Sequence, residues 1–333
     1  MPVGAARAGG ARLYLAGIGG VGRAFLRQVA GIGHHVVEAG SGRDAGGDAL
    51  VEATCRDRAP VRVFVDCTAS DTLPHRYPRL LESGAAVVAA NKIGFAADGA
   101  PWPEIESALE RGAPLFFETT VGAALPVISA IAGMVEAGSA VHRIEAVLSG
   151  TLTHILQQGR GGRPFSLIVR EAVGAGLTEP DPRVDLLGID VARKAIILAR
   201  TARLGIDAAT VQAEPLVIPR GNTPGNTSVD EFLDGLVHFD DAFRELLPPG
   251  ADESGPVYMA SIRRGAVEIG VRRPEAGHPC SALAAGDSAV SIWSDHYRGS
   301  PLVIKGPGAG PEVTAHGVLV DVERAVRALA RAG

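Results

Sequence analysis

Between Gly176 and Lys194 the chain gathers Glu179, Asp181, Asp185 and Asp190 and closes the span with a lysine. Such a set can hold a cationic group by charge-assisted hydrogen bonds and can move a proton. Pro180 and Pro182 fix two backbone angles and remove two N–H donors, so the first part of the span is excluded from a helix interior. Glu179 and Asp181, each preceding a proline, are pushed towards an extended conformation. The apolar pattern Val191, Ala195, Ile197, Leu198 then predicts a helix from near Asp190. Asp190 and Lys194 are four residues apart and share one face of it. A charge run of this kind is usually a solvated loop with an ion pair. Two prolines stiffening the most crowded stretch point instead to a site.

A second stretch with chemical content lies near the N-terminus. Leu13–Ala16 predicts a buried strand, Gly17-Ile18-Gly19-Gly20-Val21-Gly22 follows, and Phe25, Leu26 and Val29 predict a helix. Strand, G-x-G-x-x-G and helix in this order form the dinucleotide fingerprint in its required context. Gly17 allows the tight turn, Gly19 lets a pyrophosphate approach the free N–H groups of the helix, and Gly22 lets the helix pack close to the sheet.

These residues need a scaffold, and the chain alternates accordingly. Strands are expected at His35–Ala39, Val61–Asp66, Ala86–Ala90 and Pro114–Glu118. Helices are expected at Gly47–Arg58, Leu73–Ser83, Pro103–Arg111 and Ala124–Ala137. That alternation predicts a doubly wound parallel sheet with ligands beyond the carboxyl ends of its strands. Ser41–Arg43, Asp66-Cys67-Thr68, Asn91-Lys92 and Glu118–Thr120 lie at those ends. No acidic residue stands at the tip of the second strand to accept a ribose hydroxyl; Glu38 falls short of it. The Arg43 guanidinium suits a 2′-phosphate, which favours NADP over NAD. The glycine bend after Glu118 can aim several carbonyls at one hard cation, or is a plain connection between strand and helix.

A second region opens with a strand at Ile144–Leu148 and Ser149-Gly150-Thr151. It continues with a hairpin from Val257–Ile262 and Ala266–Val271 and strands at Ser288–Trp293 and Leu302–Ile304. After a glycine loop, Gly306–Pro311, a last helix is expected from Thr314 as N-cap. Its glycine loop returns the C-terminus to the first domain.

Composition narrows the class. With 333 residues and 46% hydrophobic content, two domains with large cores are expected. A net charge of −5 gives no basic surplus for nucleic acid. Cys55, Cys67 and Cys280 are odd in number and widely spaced, which fits a reducing cytoplasm and gives no disulfide framework. No apolar run is long enough for a membrane span.

Together these pieces carry a family resemblance. The chain resembles the homoserine dehydrogenases over nearly its whole length. The match runs through Gly17–Gly22, Val65–Thr68, Asn91-Lys92, Thr120–Val127, Ser149–Thr151, Gly176–Lys194, Gly308–Gly310 and Val313–Ala315. The long Thr-Glu-Pro-Asp-Pro-Arg span is the specific part. The resemblance implies an α/β fold: a doubly wound parallel Rossmann-type sheet on residues 1–125 and 307–333. A second α+β domain on 126–306 would take substrate and dimerise. It implies reversible NAD(P)H-linked reduction of L-aspartate 4-semialdehyde to L-homoserine, in threonine, methionine and isoleucine biosynthesis. It places Ile18, Gly19, Gly20, Thr68, Lys92, Gly176 and Gly310 at the cofactor, beside the Gly17 and Gly22 of the fingerprint. It places Glu179, Asp185 and Asp190 at homoserine, with Lys194 as proton donor beside Asp190 and Lys92 as the competing candidate. The carbonyls of Glu118, Val121, Ala123 and Leu125 would hold a monovalent cation such as sodium, and the protein would be a homodimer.

The sequence departs from the family at three places. Thr153-His154 stands where a small polar residue and a tyrosine are usual, Leu177 replaces a tyrosine, and Cys280 an aromatic residue. These leave open a related oxidoreductase acting on another amino-aldehyde. A nucleotide sensor without catalysis should have lost the charged set, yet all five members are present. A phosphorylating aldehyde dehydrogenase would need a cysteine nucleophile with a base, and Cys67, which follows a strand, shows no paired histidine. The chain ends soon after its last helix, so neither an appended regulatory domain nor feedback by threonine is expected.

Overall fold

A computed structural model of the chain describes residues 10–41, 44–96, 101–247, 255–281 and 283–332. The chain divides into two compact units. The first runs to Leu125 and resumes at Gly310; the second runs from Pro126 to Ala309.

The first unit is built on β1 (Arg12–Ala16), β2 (His35–Gly40), β3 (Arg62–Asp66), β4 (Ala86–Ala89) and β5 (Leu115–Phe116). All pair in parallel, in the order β2-β1-β3-β4-β5. The chain leaves β1 for one edge and returns to its other side, so β1 and β3 flank the topological switch point where such sheets bind ligands. Every residue of β3 and β4 is buried, as expected of parallel strands with helices on both faces. Leu13, Leu15, Val63, Val65 and Val88 share one core with Phe25 and Val29 of the helix Gly20–Val29. Val318 and Val322 of the helix Pro311–Ala332 complete it. Each such side chain contributes about 1.5–3 kcal/mol on burial.

The second unit carries an antiparallel sheet of β6 (Val141–Val147), β7 (Val257–Arg263), β8 (Ala266–Arg272), β9 (Asp287–Ser294) and β10 (Leu302–Pro307). Its order is β10-β9-β6-β7-β8. Ile144, Ile262 and Ile292 align across its centre. The helices Val127–Glu136 and Ile189–Thr201 pack on this sheet. On β6, β7 and β9, Val147, Val257, Met259 and Ala289 form a smaller cluster with Cys280.

Several elements depart from the periodicity. β5 ends at Phe116 rather than Glu118, because Glu118–Thr120 forms a 3-10 turn and the Glu118 N–H donates to Asp321 Oδ2 at 2.9 Å. The next helix starts at Val127 rather than Ala124, with Pro126 as its N-cap. The last helix starts at Pro311, three residues before Thr314, since a proline is well placed at a first helical position. Among the prolines, Arg183–Leu186 makes one helical turn behind Pro182, so Asp185 stands on that turn rather than on an open loop.

Candidate active site

In the first unit the glycine loop folds as its spacing requires. Gly17 has φ +94°, and a Cβ there would stand 2.6 Å from the Cys67 main chain. At Gly22 a Cβ would meet the Gly17 carbonyl at 1.8 Å. At Gly19, by contrast, a Cβ would enter open space. Gly19 is the N-cap of the helix Gly20–Val29, with no side chain capping it. The first-turn amides of a helix lack intrahelical acceptors and suit an anion. Gly310 lies alongside: Pro311, the next residue, would be 3.5 Å from a Cβ at Gly20. A groove of about 780 Å³ opens here, lined by Gly17, Ile18, Gly19, Ser41 and Cys67–Thr72. Ile18 is 42% exposed within it. This open, glycine-lined cradle at a helix N-terminus fits a dinucleotide. β2 ends on Ala39-Gly40, and Glu38 pairs with Tyr14, two residues before that tip. Arg43, singled out for a 2′-phosphate, lies outside the described residues. Lys92 is half-buried, directly after β4 and Asn91. Burial pushes the Cys67 thiol up, away from nucleophilic use.

The loop after β5 is held from one side. Arg324 Nη1 donates to Glu118 Oε2 at 2.9 Å and to Asp321 Oδ1 at 3.1 Å. Both carboxylates are buried, and burial raises Asp321 to about 6. Gly122 and Ala123 both take left-handed conformations, φ +78° and +54°. Ala123 is a non-glycine residue in a region few such residues occupy. Glu118, Val121, Ala123 and Leu125 all lie on this turn. Among the described residues no group of three or more His, Cys, Asp or Glu side chains could hold a metal ion.

In the second unit the acidic span closes on itself. Gly188, φ +68°, is the N-cap of the helix Ile189–Thr201, and a Cβ there would stand 2.2 Å from the Tyr258 hydroxyl. Only glycine gives that close approach. On the helix, Lys194 Nζ lies 2.7 Å from Asp190 Oδ2 and donates to the Leu148 carbonyl at 2.7 Å. Lys194 is buried and Asp190 half-buried. Asp185 is buried too, and its Oδ2 accepts the Glu179 N–H at 2.8 Å. Burial raises Asp185 to about 6. Glu179 itself is exposed beside it, and Gly176, φ +67°, turns the chain into the span. The structure thus brings Asp190 to Lys194, and Glu179 to Asp185.

Three contributors were not singled out in the sequence. Thr151 donates to the Leu177 carbonyl at 2.6 Å, fixing the approach to Glu179. Arg183 is only 2% exposed; it clasps both oxygens of Asp181 and reaches the Thr227 hydroxyl and carbonyl at 3.1 and 3.0 Å. The Leu148 carbonyl is the third. An arginine directly after Pro182, two residues from Asp181, was the one visible signal, since a rigid guanidinium fork suits a fixed carboxylate. Of the family departures, Leu177 is 47% exposed at the mouth of the span, whereas Cys280 is buried in the small core cluster.

A family profile described as homoserine dehydrogenase matches residues 126–322. The homoserine dehydrogenase of Emericella nidulans is 37% identical over 293 residues, covering 83% of this chain and 79% of that one. The chain belongs to the homoserine dehydrogenase family. Members of this family are NAD(P)-dependent oxidoreductases. A chloroplastic bifunctional aspartokinase/homoserine dehydrogenase of Arabidopsis thaliana is 40% identical over 273 residues, 80% of this chain. The chain spans 29% of the length of that bifunctional relative. An archaeal homoserine dehydrogenase solved in complex with NADPH shares the fold, with TM-score 0.69 at 21% identity over 95% of this chain and 97% of that one. Among the described residues no helix is long and apolar enough to cross a membrane.

Proposed function

We propose that this homoserine dehydrogenase family member reduces L-aspartate 4-semialdehyde to L-homoserine, reversibly, with NADPH or NADH and with NADPH favoured. The observation that carries the reading is the buried clasp of Lys194 on Asp190 and Leu148, next to the Glu179–Asp185 pair in the same signature span. The first unit takes the dinucleotide at Gly17, Ile18, Gly19, Gly20, Gly22, Thr68, Lys92 and Gly310. A bound reduced nicotinamide supplies a hydride to the aldehyde carbon.

The chain's own groups do the rest. Glu179 and Asp185 hold the substrate ammonium by charge-assisted hydrogen bonds. Negative charge grows on the former aldehyde oxygen, and a lysine ammonium stabilises it. Lys194 then gives that oxygen a proton, completing the alcohol, while Asp190 holds the lysine in place. Lys92 polarises the carbonyl. The carbonyls of Glu118, Val121, Ala123 and Leu125 hold a sodium ion. The left-handed backbone at Gly122 and Ala123, which bends the chain sharply between these carbonyls, supports this. The active form is a cytoplasmic homodimer, joined through the second unit.

The test is nicotinamide oxidation with L-aspartate 4-semialdehyde, run with NADPH and with NADH, alongside sedimentation of the protein. Turnover that yields homoserine is the expected result. No turnover with either nucleotide, in buffer containing sodium, overturns the reading.

A further inference from the structure

The wall of the dinucleotide groove and the turn that carries Lys92 share one buried carboxylate. Asp66, the last residue of β3, is fully buried. Its Oδ1 accepts the Thr68 N–H at 2.8 Å. Its Oδ2 accepts the Tyr77 hydroxyl at 2.6 Å and the Asn91 amide at 3.2 Å. The Asn91 amide also donates to the Ser70 carbonyl at 2.8 Å, while Asn91 Oδ1 accepts the Ile93 N–H at 2.9 Å. One asparagine therefore bridges the groove wall and both flanks of Lys92.

The surroundings allow these groups little freedom. The Lys92 carbonyl accepts the Phe95 and Ala96 N–H groups, each at 3.1 Å, and so opens the short helix Ile93–Ala96. A Cβ at Gly94 in that helix would stand 2.6 Å from Pro74 Cβ. The Tyr77 ring lies against Phe95, with centroids 6.2 Å apart. On the groove side, Ser70 N–H donates to Thr68 Oγ1 at 3.1 Å and Leu73 N–H to Ser70 Oγ at 3.1 Å. A fully buried carboxylate is expensive to keep, and burial raises its pKa. A core that needed only packing at this position would do as well with an apolar side chain. The carboxylate's partners instead all lead to the groove wall or to the Lys92 turn.

We infer that Asp66, Tyr77 and Asn91 are positioning residues that set the Cys67–Thr72 wall and Lys92 as one unit, so that dinucleotide affinity and turnover depend on the same hydrogen bonds. This rests on the proposed roles of the groove and of Lys92. None of the three is assigned a contact with substrate or cofactor.

The test compares the unaltered chain with Tyr77→Phe, Asn91→Ala and the double variant. Tyr77→Phe keeps the ring against Phe95 and removes only the hydroxyl, so folding is retained. NADPH affinity is measured by fluorescence titration without substrate, then kcat and KM for the semialdehyde, then the melting temperature. Each single change should weaken NADPH binding and lower kcat by roughly tenfold, the scale of one buried hydrogen bond. KM for the semialdehyde should stay within about twofold. The double variant should lose less than the product of the singles, since residues in one network are coupled. Unchanged NADPH affinity and kcat in folded variants overturn the inference. So do effects that multiply independently. Loss of affinity that disappears well below the variant's melting temperature also overturns it. Failure of the unaltered chain to bind NADPH overturns the functional reading itself, and the inference with it; binding by the unaltered chain with unaffected variants overturns the inference alone.

Discussion

The Lys194 ammonium donates to the main-chain carbonyl of Leu148 at 2.7 Å, across 46 residues of chain. Asp190, one helical turn before Lys194, takes a second of its donors at 2.7 Å. A lysine has three. With two fixed, the third direction is set, and the ammonium meets a substrate oxygen without searching. That orientation comes from the end of β6 as much as from the acidic span.

If Lys194 is the proton donor, Lys194→Ala should lower kcat by about 10²–10⁴, the usual range for a lost general acid. Lys194→Arg should not rescue it, since a guanidinium does not release its proton. NADPH binding should change little in either. Near-normal kcat for Lys194→Ala, together with abolished turnover in Lys92→Ala with NADPH still bound, assigns the proton to Lys92 or to water.

Arg183 holds the acidic span to the Thr227 segment and lies over Phe232 with its guanidinium carbon 5.3 Å from the ring centroid. Its removal strands a half-buried Asp181. Breaking a fully buried pair costs about 3–5 kcal/mol; with Asp181 partly exposed, Arg183→Ala should cost about 2–3 kcal/mol. KM for homoserine should rise as Glu179 and Asp185 lose their frame. Denaturant unfolding and steady-state kinetics on the one variant check both. A loss of stability with unchanged KM would show that the clasp serves folding only.

The first unit was largely legible because its strands are short apolar runs bounded by turn residues, and its glycine loop is local. Asp190 and Lys194 were legible as a pair because a helix converts a spacing of four into a shared face. The Leu148 carbonyl was not, since a main-chain acceptor has no letter of its own. Asp66 read as a strand-end residue open to ligand, yet its three partners include Tyr77, eleven positions on, and Asn91, which no periodicity connects to it. Arg183 drew no reading of its own beside the carboxylates, since arginine is seldom fully buried. The order of the second sheet was hidden for a different reason. β6 pairs with β7 and β9, each more than a hundred residues away, so no local pattern sets its neighbours.

The turn after β5 lies under the helix Pro311–Ala332, where Gly317 leaves room for it. A Cβ at Gly317 would stand 2.5 Å from Thr119 Cγ2, 3.0 Å from Ala124 Cα and 3.2 Å from the Ala123 carbonyl. Gly317→Ala should therefore displace the carbonyls proposed to hold sodium. Overpacking of this kind costs about 1–3 kcal/mol. Activity titrated with sodium chloride, with choline chloride keeping ionic strength constant, should show a raised half-saturation. If sodium has no effect on the unaltered chain, the cation assignment fails.

The tip of β2 offers a ribose 2′ position no carboxylate among Ala39, Gly40 and Ser41. Arg43→Ala should therefore weaken NADPH by roughly tenfold or more, the worth of one charge-assisted contact, and leave NADH nearly unchanged. Equal losses for the two nucleotides would remove Arg43 from the selection.

Asp185 predicts opposite trends for binding and for stability. Its pKa is raised by burial from 3.8 to about 6. The ionised form is needed to hold the substrate ammonium. KM for homoserine should therefore rise as pH falls through about 6, and Asp185→Asn should have a high KM at every pH without that inflection. Stability runs the other way. A group that binds its proton more tightly when folded contributes most below its unfolded pKa. For Asp185 that contribution is present below 3.8 and lost as pH rises through about 6. At pH 8 the ionised, buried carboxylate is then a liability on the order of 2–3 kcal/mol. Asparagine stays neutral and can still accept the Glu179 N–H. Asp185→Asn should melt at a higher temperature than the unaltered chain at pH 8, and the gap should close by pH 4. Melting curves at the two pH values, beside the KM profile, check both halves. A variant less stable at pH 8 would mean that the ionised carboxylate is fully compensated by its hydrogen bonds, and the pH-dependent rise in KM would then have to come from another group.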